Sequence, residues 1–285
     1  MKISIIIICD KIRQEKLERL LFGIKPQLKD NVEVILIHES NVKLECPSFP
    51  VKVHYFNVPE KQGIPYNRNR GIEKSSGEII VFIDDDCWVS AGWLEALVGP
   101  FDVEKIMVTT SGTHIPHSNF FGDCVSALGF PGGGSLGFEK VWRVSSEGFT
   151  NHLAAGNCAF RREVFDVIGL FDETLKSGAE DAELSYRIEK AGIPIKYVPN
   201  GYAFHEARTT WTSFVSWQIR RGRANYHFKQ KVGAIGGFLK LRLWSTKNIL
   251  IKNKFNWRLP MILFLLFMSF LLQQEGFLLE KKKQR

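Results

Sequence analysis

No two of the five cysteines of this 285-residue chain form a CxxC pair; Cys9, Cys46, Cys87, Cys124 and Cys158 are widely spaced and odd in number. That pattern excludes a disulfide scaffold or a zinc knuckle and favours a reducing compartment. The apolar run after Lys2 ends by Asp10, too short for a secretory leader and without a small-residue cleavage site, so it reads as a first strand. The chain shows no internal repeat, and no nucleic-acid-binding signature accompanies its basic residues. The uncharged apolar run at 259–272 has 14 residues, short of the roughly 20 that a spanning helix needs. Disorder is excluded as well, because 24% charged and 45% hydrophobic residues are ordinary values for a folded protein.

What is present is an excess of positive charge. The net charge is +8, and much of it lies late in the chain, at Arg220, Arg221, Arg223, Lys229, Lys231 and Lys281 to Lys283. Such a distribution selects anionic partners: phosphorylated substrates and acidic lipid surfaces rank above nucleic acid. Lys252, Lys254 and Arg258 before the apolar run, and the three lysines after it, suit an in-plane or shallowly inserted helix at an anionic membrane face. The competing reading is a buried C-terminal helix with a solvated tail.

The first hundred residues alternate between two periodicities. A continuous β-branched run at 3–8 predicts a strand buried on both faces, and the apolar-rich stretches at 32–37, 51–56 and 78–83 predict three more strands. Helical spacing separates them at 10–28, where Leu17, Leu20, Leu21 and Ile24 share a stripe, and at 67–74. Strand and helix in alternation predict βαβ units, hence an α/β fold with a mostly parallel sheet flanked by helices. Further on, the pattern predicts helix at 91–97, strand at 105–110, a flexible glycine-rich loop around Pro131-Gly132-Gly133-Gly134, helix at 181–191 and strand at 193–198. Ligands of parallel sheets bind beyond the carboxyl ends of the strands. Asp10, Glu39 and the triplet Asp84-Asp85-Asp86 all fall at such ends.

Three adjacent carboxylates repel one another unless a cation relieves them. Oxygen ligands suit a hard divalent ion, Mg²⁺ or Mn²⁺, and such ions bridge diphosphates. The triplet therefore reads as a metal and diphosphate site, against the alternative of an acidic turn capping the next helix. A phosphatase Asp-x-Asp is disfavoured because Trp88 stands where that class places Thr or Val. Downstream come Gly156-Asn157, Gly169-Leu170-Phe171-Asp172-Glu173 and Glu180-Asp181. The last pair serves either as dipole partners of a helix N-terminus or as a general base.

Taken in order, these segments resemble glycosyltransferase family 2 and its GT-A fold over roughly residues 2 to 230. Gly63-Ile64-Pro65-Tyr66-Asn67-Arg68-Asn69-Arg70-Gly71 matches the family's Gly-x-x-x-Ala-Arg-Asn-x-Gly, and Ser76 to Asp86 matches its Asp-x-Asp strand. The glycine-asparagine segment, Gly-x-Phe-Asp-Glu, and Glu180-Asp181 with Arg187 complete the order. Two departures fall in the base-recognition region: Ile8-Cys9-Asp10-Lys11 replaces Pro-Thr-Tyr-Asn, and His38-Glu39-Ser40 replaces a pair of Asp.

The resemblance implies an inverting, metal-dependent transferase taking a nucleotide diphosphate sugar, UDP by default with GDP or dTDP open. It implies that Ile8, Asp10, Glu39, Arg68, Asp84 and Asp85 line the donor pocket. Asp86, with Asp84 and His205, would hold Mn²⁺ or Mg²⁺, and Asp181 beside Glu180 would deprotonate the acceptor hydroxyl. Arg220, Arg221 and Arg223 resemble a basic segment closing over donor phosphates, and a solvated or lipid-facing helix explains them equally well. The expected division is a nucleotide-sugar half at 1–110, an acceptor half at 111–235 and a membrane-associating tail at 236–285. The expected acceptor is a glycan or a lipid-linked glycan at the cytoplasmic face of a membrane. Two rivals remain. A sugar-nucleotide pyrophosphorylase ordinarily has a glycine-rich loop after the first strand, and 9–13 has no glycine. An inactive glycan-binding relative should have lost acids from the metal or base positions, and none is missing.

Overall fold

A computed structural model of the chain describes residues 1–9, 14–41, 50–103, 105–233 and 236–284. The first part runs β1 (Ile3–Cys9), α1 (Gln14–Ile24), β2 (Val32–Glu39), β3 (His54–Val58), α2 (Ile64–Lys74), β4 (Ile79–Asp84), β5 (Cys87–Trp88) and α3 (Trp93–Val98). Then come β6 (Val108–Thr110), β7 (Thr113–His114), α4 (Phe120–Ser126), α5 (Phe138–Val141), β8 (Phe149–Thr150), β9 (Asn157–Arg161) and α6 (Val164–Ile168). The chain ends with α7 (Glu180–Lys190), β10 (Ile195–Tyr197), β11 (Ala203–His205), α8 (Trp211–Val232), α9 (Gly236–Asn253) and α10 (Leu259–Lys283).

Eight strands form the main sheet in the order β3-β2-β1-β4-β9-β6-β10-β8. The first four are parallel, and the apolar runs of the inner ones fit burial on both faces: every residue of β1 is buried, Leu17, Leu20, Leu21 and Ile24 of α1 seal one face, and the edge strand β3 is only partly buried. Each such side chain contributes about 1.5–3 kcal/mol on burial. The strand order reverses between β1 and β4, where Ile8 pairs with Asp84. Crevices open at such reversals, so the acidic triplet emerges at the place where an α/β sheet holds ligands.

The far half of the sheet is mixed. β9 runs antiparallel between β4 and β6, and a three-stranded sheet, β5-β11-β7, lies apart. These strands have two to five residues, too few to show a period of two in the sequence. β9 is held by its first residue. The buried Asn157 side chain accepts from Trp93 Nε1 at 2.9 Å and donates to the carbonyls of Gly112 and Gly201, both at 2.9 Å.

The C-terminal helices are part of the body. α10 has 25 residues, a mean hydropathy of 1.8 over its most apolar 18-residue window and the length to cross a bilayer, whereas the sequence showed only 14 continuous apolar residues. Its extra length comes from polar residues that face α8. Gln273 donates to Gln218 at 2.6 Å, and Glu280 lies 3.1 Å from His227 Nε2. The helices cross with their backbones touching: a Cβ at Gly222 would overlap the Gln273 carbonyl, and one at Gly276 the Ile219 carbonyl. Ile262, Leu265 and Leu272 share a core with Phe214 and Trp217 of α8, Ile249 of α9, and Cys124 and Val125 of α4. The opposite face of α10 exposes Phe264, Phe267, Phe270 and Leu278. A Gly276→Val variant should wedge this crossing apart, cost about 1–3 kcal/mol and lower the melting temperature. An unchanged melt would contradict the close crossing.

Candidate active site

Asp84 is the last residue of β4, and its amide donates to the Gly156 carbonyl at 3.3 Å. Gly156 carries no side chain because Asp84 occupies the space: a Cβ there would overlap the carboxylate. Asp85 is buried and Asp86 follows in the turn to β5. β11 runs antiparallel to β5 and brings His205 back over this turn, with Nε2 at 3.3 Å from Asp86 Oδ2. Burial lowers the His205 pKa, but the hydrogen bond and charge of Asp86 outweigh it and the net shift is upward.

α2 lies behind the triplet and supplies Arg68, of which 3% is exposed. Its Nη1 donates to Glu180 Oε1 at 2.7 Å and its Nη2 reaches Asp84 Oδ1 at 3.4 Å. Burial alone would lower the Arg68 pKa; Glu180 and Asp84 reverse that and keep the guanidinium charged. The neighbouring Asn69 fixes the register. It donates to the Phe171 carbonyl at 2.9 Å and to Glu173 at 2.8 Å, and accepts from Phe171 N–H at 3.0 Å. Arg68 and Asn69 thus fasten the Asp-x-Asp strand to the Gly-x-Phe-Asp-Glu segment and to the start of α7, 112 residues away.

α7 begins after Ala179, whose φ of 70° is one of two positive values at non-glycine residues in the described chain. Such a conformation costs about 1–3 kcal/mol and persists where the surroundings impose it. Glu180 is buried with its carboxylate on Arg68. Asp181 takes a hydrogen bond from the Ala182 amide at 2.7 Å. Desolvation, followed by the charge of Glu180, raises its pKa to about 6, against the pull of Ala182, Arg68 and Arg221. A carboxyl poised there exchanges a proton readily near neutrality. Asp84 is also pushed upward, first by desolvation, with Arg68 opposing and Asp86 adding to the shift.

The structure thus gathers Asp84, Asp85, Asp86, His205, Arg68, Glu180 and Asp181 at the carboxyl end of β4, beside the strand reversal. The other residues expected in the donor pocket are placed differently. Ile8 is a buried strand residue opposite Asp84. Glu39 is engaged by the β3–α2 segment: it accepts from the amides of Lys61 and Gly63 at 3.1 and 2.7 Å and from Asn67 of α2 at 2.6 Å. Asp10 lies outside the described residues. Of the three late arginines, Arg220 and Arg223 are exposed, and Arg221 turns inward towards Asp181. Sequence reasoning missed Arg208 and Arg242, which belong to no motif and approach Arg221 only through folding.

Among the described residues no three His, Cys, Asp or Glu side chains form a closed metal cage. The open pair Asp86–His205 nonetheless fits a divalent ion. Two donors at right angles on bonds of 2.0–2.1 Å sit about 3 Å apart, close to their 3.3 Å. Diphosphate and water oxygens would complete the shell.

The profile described as Glycosyl transferase family 2 matches residues 4–169. The chain belongs to this family. A curated relative, the glucosyl-dolichyl phosphate glucuronosyltransferase of Haloferax volcanii, is 25% identical over 245 residues, 78% of this chain and 74% of that protein. The N-acetylgalactosaminyltransferase 7 of Drosophila melanogaster is 32% identical over 165 residues, 52% of this chain and 28% of that longer protein. Among solved structures, GalNAc-T7 with UDP, GalNAc and Mn²⁺ superposes with a TM-score of 0.55 at 16% identity, over 87% of this chain and 54% of the other. A Pyrobaculum calidifontis mannosyltransferase with GDP-Man and Mn²⁺ gives 0.54 at 16%, over 93% and 74%. The fold is therefore GT-A, and the chain is a glycosyltransferase.

Removing the Arg68 charge should be costly. Arg68→Met strands Glu180 in the interior and should destabilise by about 3–5 kcal/mol in denaturant unfolding. The double variant with Glu180→Gln should recover most of the loss. Wild-type stability in Arg68→Met alone would contradict the bridge.

Proposed function

We propose that this transferase moves a sugar from a nucleotide diphosphate donor to an acceptor hydroxyl by direct displacement with inversion, in surface polysaccharide, glycolipid or lipid-linked glycan synthesis. The observation that carries the reading is the Arg68 bridge, which ties Asp84 to Glu180, the neighbour of Asp181. Asp181 accepts the acceptor proton, its pKa of about 6 leaving it ionised at neutral pH and basic enough to take one. Glu180 holds the base in place through Arg68 and raises its basicity by charge. Asp84 and Asp85 face the donor's ribose and diphosphate. Mn²⁺ or Mg²⁺ on Asp86 and His205, with Asp84 beside them, would neutralise charge on the departing diphosphate. UDP is the default nucleotide; the departures at 8–11 and 38–40 leave GDP and dTDP as arms of the test.

The exposed aromatic face of α10, flanked by Lys252, Lys254 and Lys281 to Lys283, supports attachment to an anionic membrane surface. The odd cysteine count supports its cytoplasmic side.

The deciding experiment follows UDP or GDP release from a panel of nucleotide sugars, with and without Mn²⁺. Asp181→Asn should lower transfer by about 10²–10⁴-fold while leaving calorimetric donor binding intact. Asp86→Ala should weaken Mn²⁺-dependent donor binding. Wild-type turnover in Asp181→Asn removes the base assignment, and nucleotide binding with no release from any sugar returns an inactive glycan-binding relative.

A further inference from the structure

Three arginines from separate elements converge beside the base. Arg208 follows β11, Arg221 lies on α8 and Arg242 on α9. They are held by faces and amides. Trp217 has the Arg208 guanidinium at 4.7 Å and that of Arg221 at 5.3 Å from its ring centroid, and Phe130 has Arg221 at 3.9 Å. Arg242 donates to the Gln273 amide oxygen at 2.9 Å. The Nε of Arg208 is buried with no hydrogen-bond partner among the described residues. The nearby acids sit at the two ends of the group: Asp181 acts on Arg221, and Asp86 on Arg208.

Cations gathered this closely in a half-buried wall repel one another. Burial first, and then the charge of Arg242, lowers the Arg221 pKa to about 9. A guanidinium is the side chain best shaped to grip a phosphate through paired N–H donors. Stacking on Trp217 and Phe130 fixes these forks before any ligand arrives, so little side-chain freedom is lost on binding. Two sources of phosphate are conceivable, the donor's diphosphate and the acceptor.

Position favours the acceptor. Arg221 faces Asp181, the residue that takes the acceptor proton, and Arg242 belongs to the helical layer of α9 and α10. Along α9, Leu243 beside Arg242 is 63% exposed, and Leu250 and Ile251 are exposed about two turns further. A hydrocarbon chain leaving the arginines would run along that apolar side towards the aromatic face of α10.

We propose that Arg221 and Arg242, assisted by Arg208, bind a phosphate of the acceptor, which is a lipid phosphate carrying the receiving hydroxyl, with its hydrocarbon lying along α9 and α10. The proposal rests on the transferase reading and on Asp181 as its base.

The test uses the 285-residue chain in detergent and follows binding by calorimetry. Geranylgeranyl phosphate and neutral geranylgeraniol are titrated with and without saturating UDP and Mn²⁺. The phosphate should bind at least tenfold more tightly than the alcohol in both conditions, since the site is separate from that of the donor. Arg221→Gln and Arg242→Gln should each lose at least tenfold in prenyl phosphate affinity and stay within twofold for UDP. Equal binding of phosphate and alcohol overturns the site in the wild-type protein, whatever the variants do. Displacement of prenyl phosphate by UDP, or equal losses for both ligands in Arg221→Gln, overturns it in favour of the donor diphosphate. Failure of the transferase reading would appear separately, as absent nucleotide release from every donor.

Discussion

A single buried cation organises this molecule. Arg68 is sealed beneath the carboxyl end of the central strand β4, and the carboxylates of Glu180 and Asp84 make its burial tolerable. Charges taken out of water are stable when their lone pairs and protons are matched, and here the matching partners come from opposite ends of the domain. The acid that ends β4 and the acid that opens α7 cannot both be satisfied unless β4, α2 and α7 meet at this point. Asn69 repeats the constraint one residue along, through Phe171 and Glu173. The cleft is thus a consequence of how the interior handles charge.

The same arrangement separates the roles of two adjacent carboxylates. Glu180 accepts from Arg68 directly and is held; Asp181 is turned away from that bond, desolvated and pressed by its neighbour's charge. The left-handed Ala179 before them sets the helix start that divides their environments. On the other wall, Asp86 and His205 meet because β11 returns antiparallel to β5. Gly156 leaves room for Asp84 to lie against β9.

Much of this was legible in the sequence, and the reasons are local. The unbroken runs of β1, β2 and β4 announce strands buried on both faces, and the Leu17-Leu20-Leu21-Ile24 stripe announces the helix covering them. The order of motifs carried the family, and of the acids named from it Asp84, Asp85, Asp86, Glu180 and Asp181 come together, whereas Glu39 does not and Asp10 lies outside the described residues. What stayed hidden depends on tertiary contact. β5, β7 and β11 are too short for periodicity, and the antiparallel insertion of β9 leaves no mark on composition. Glu39 falls at a strand end like Asp84, yet its carboxylate is engaged by the amides of Lys61 and Gly63, beyond the next strand. The apolar run before Gln273 gave no sign that α10 continues, because Gln273 and Glu280 are polar where they meet α8. Arg208 and Arg242 stand in no motif, and their convergence on Arg221 exists only in the folded chain.

The central claim is that Asp181, tuned by burial and by Glu180, is the group whose ionisation governs transfer. The most direct measurement is the single-turnover rate against pH from 4.5 to 8 at saturating donor and metal. A base with a pKa of about 6 is protonated and idle below that value and active above it. The rate should therefore climb with pH, pass half its plateau near pH 6 and stay level beyond about 7. A rate independent of pH across that range, or the same rising limb retained in Asp181→Asn, would contradict the account.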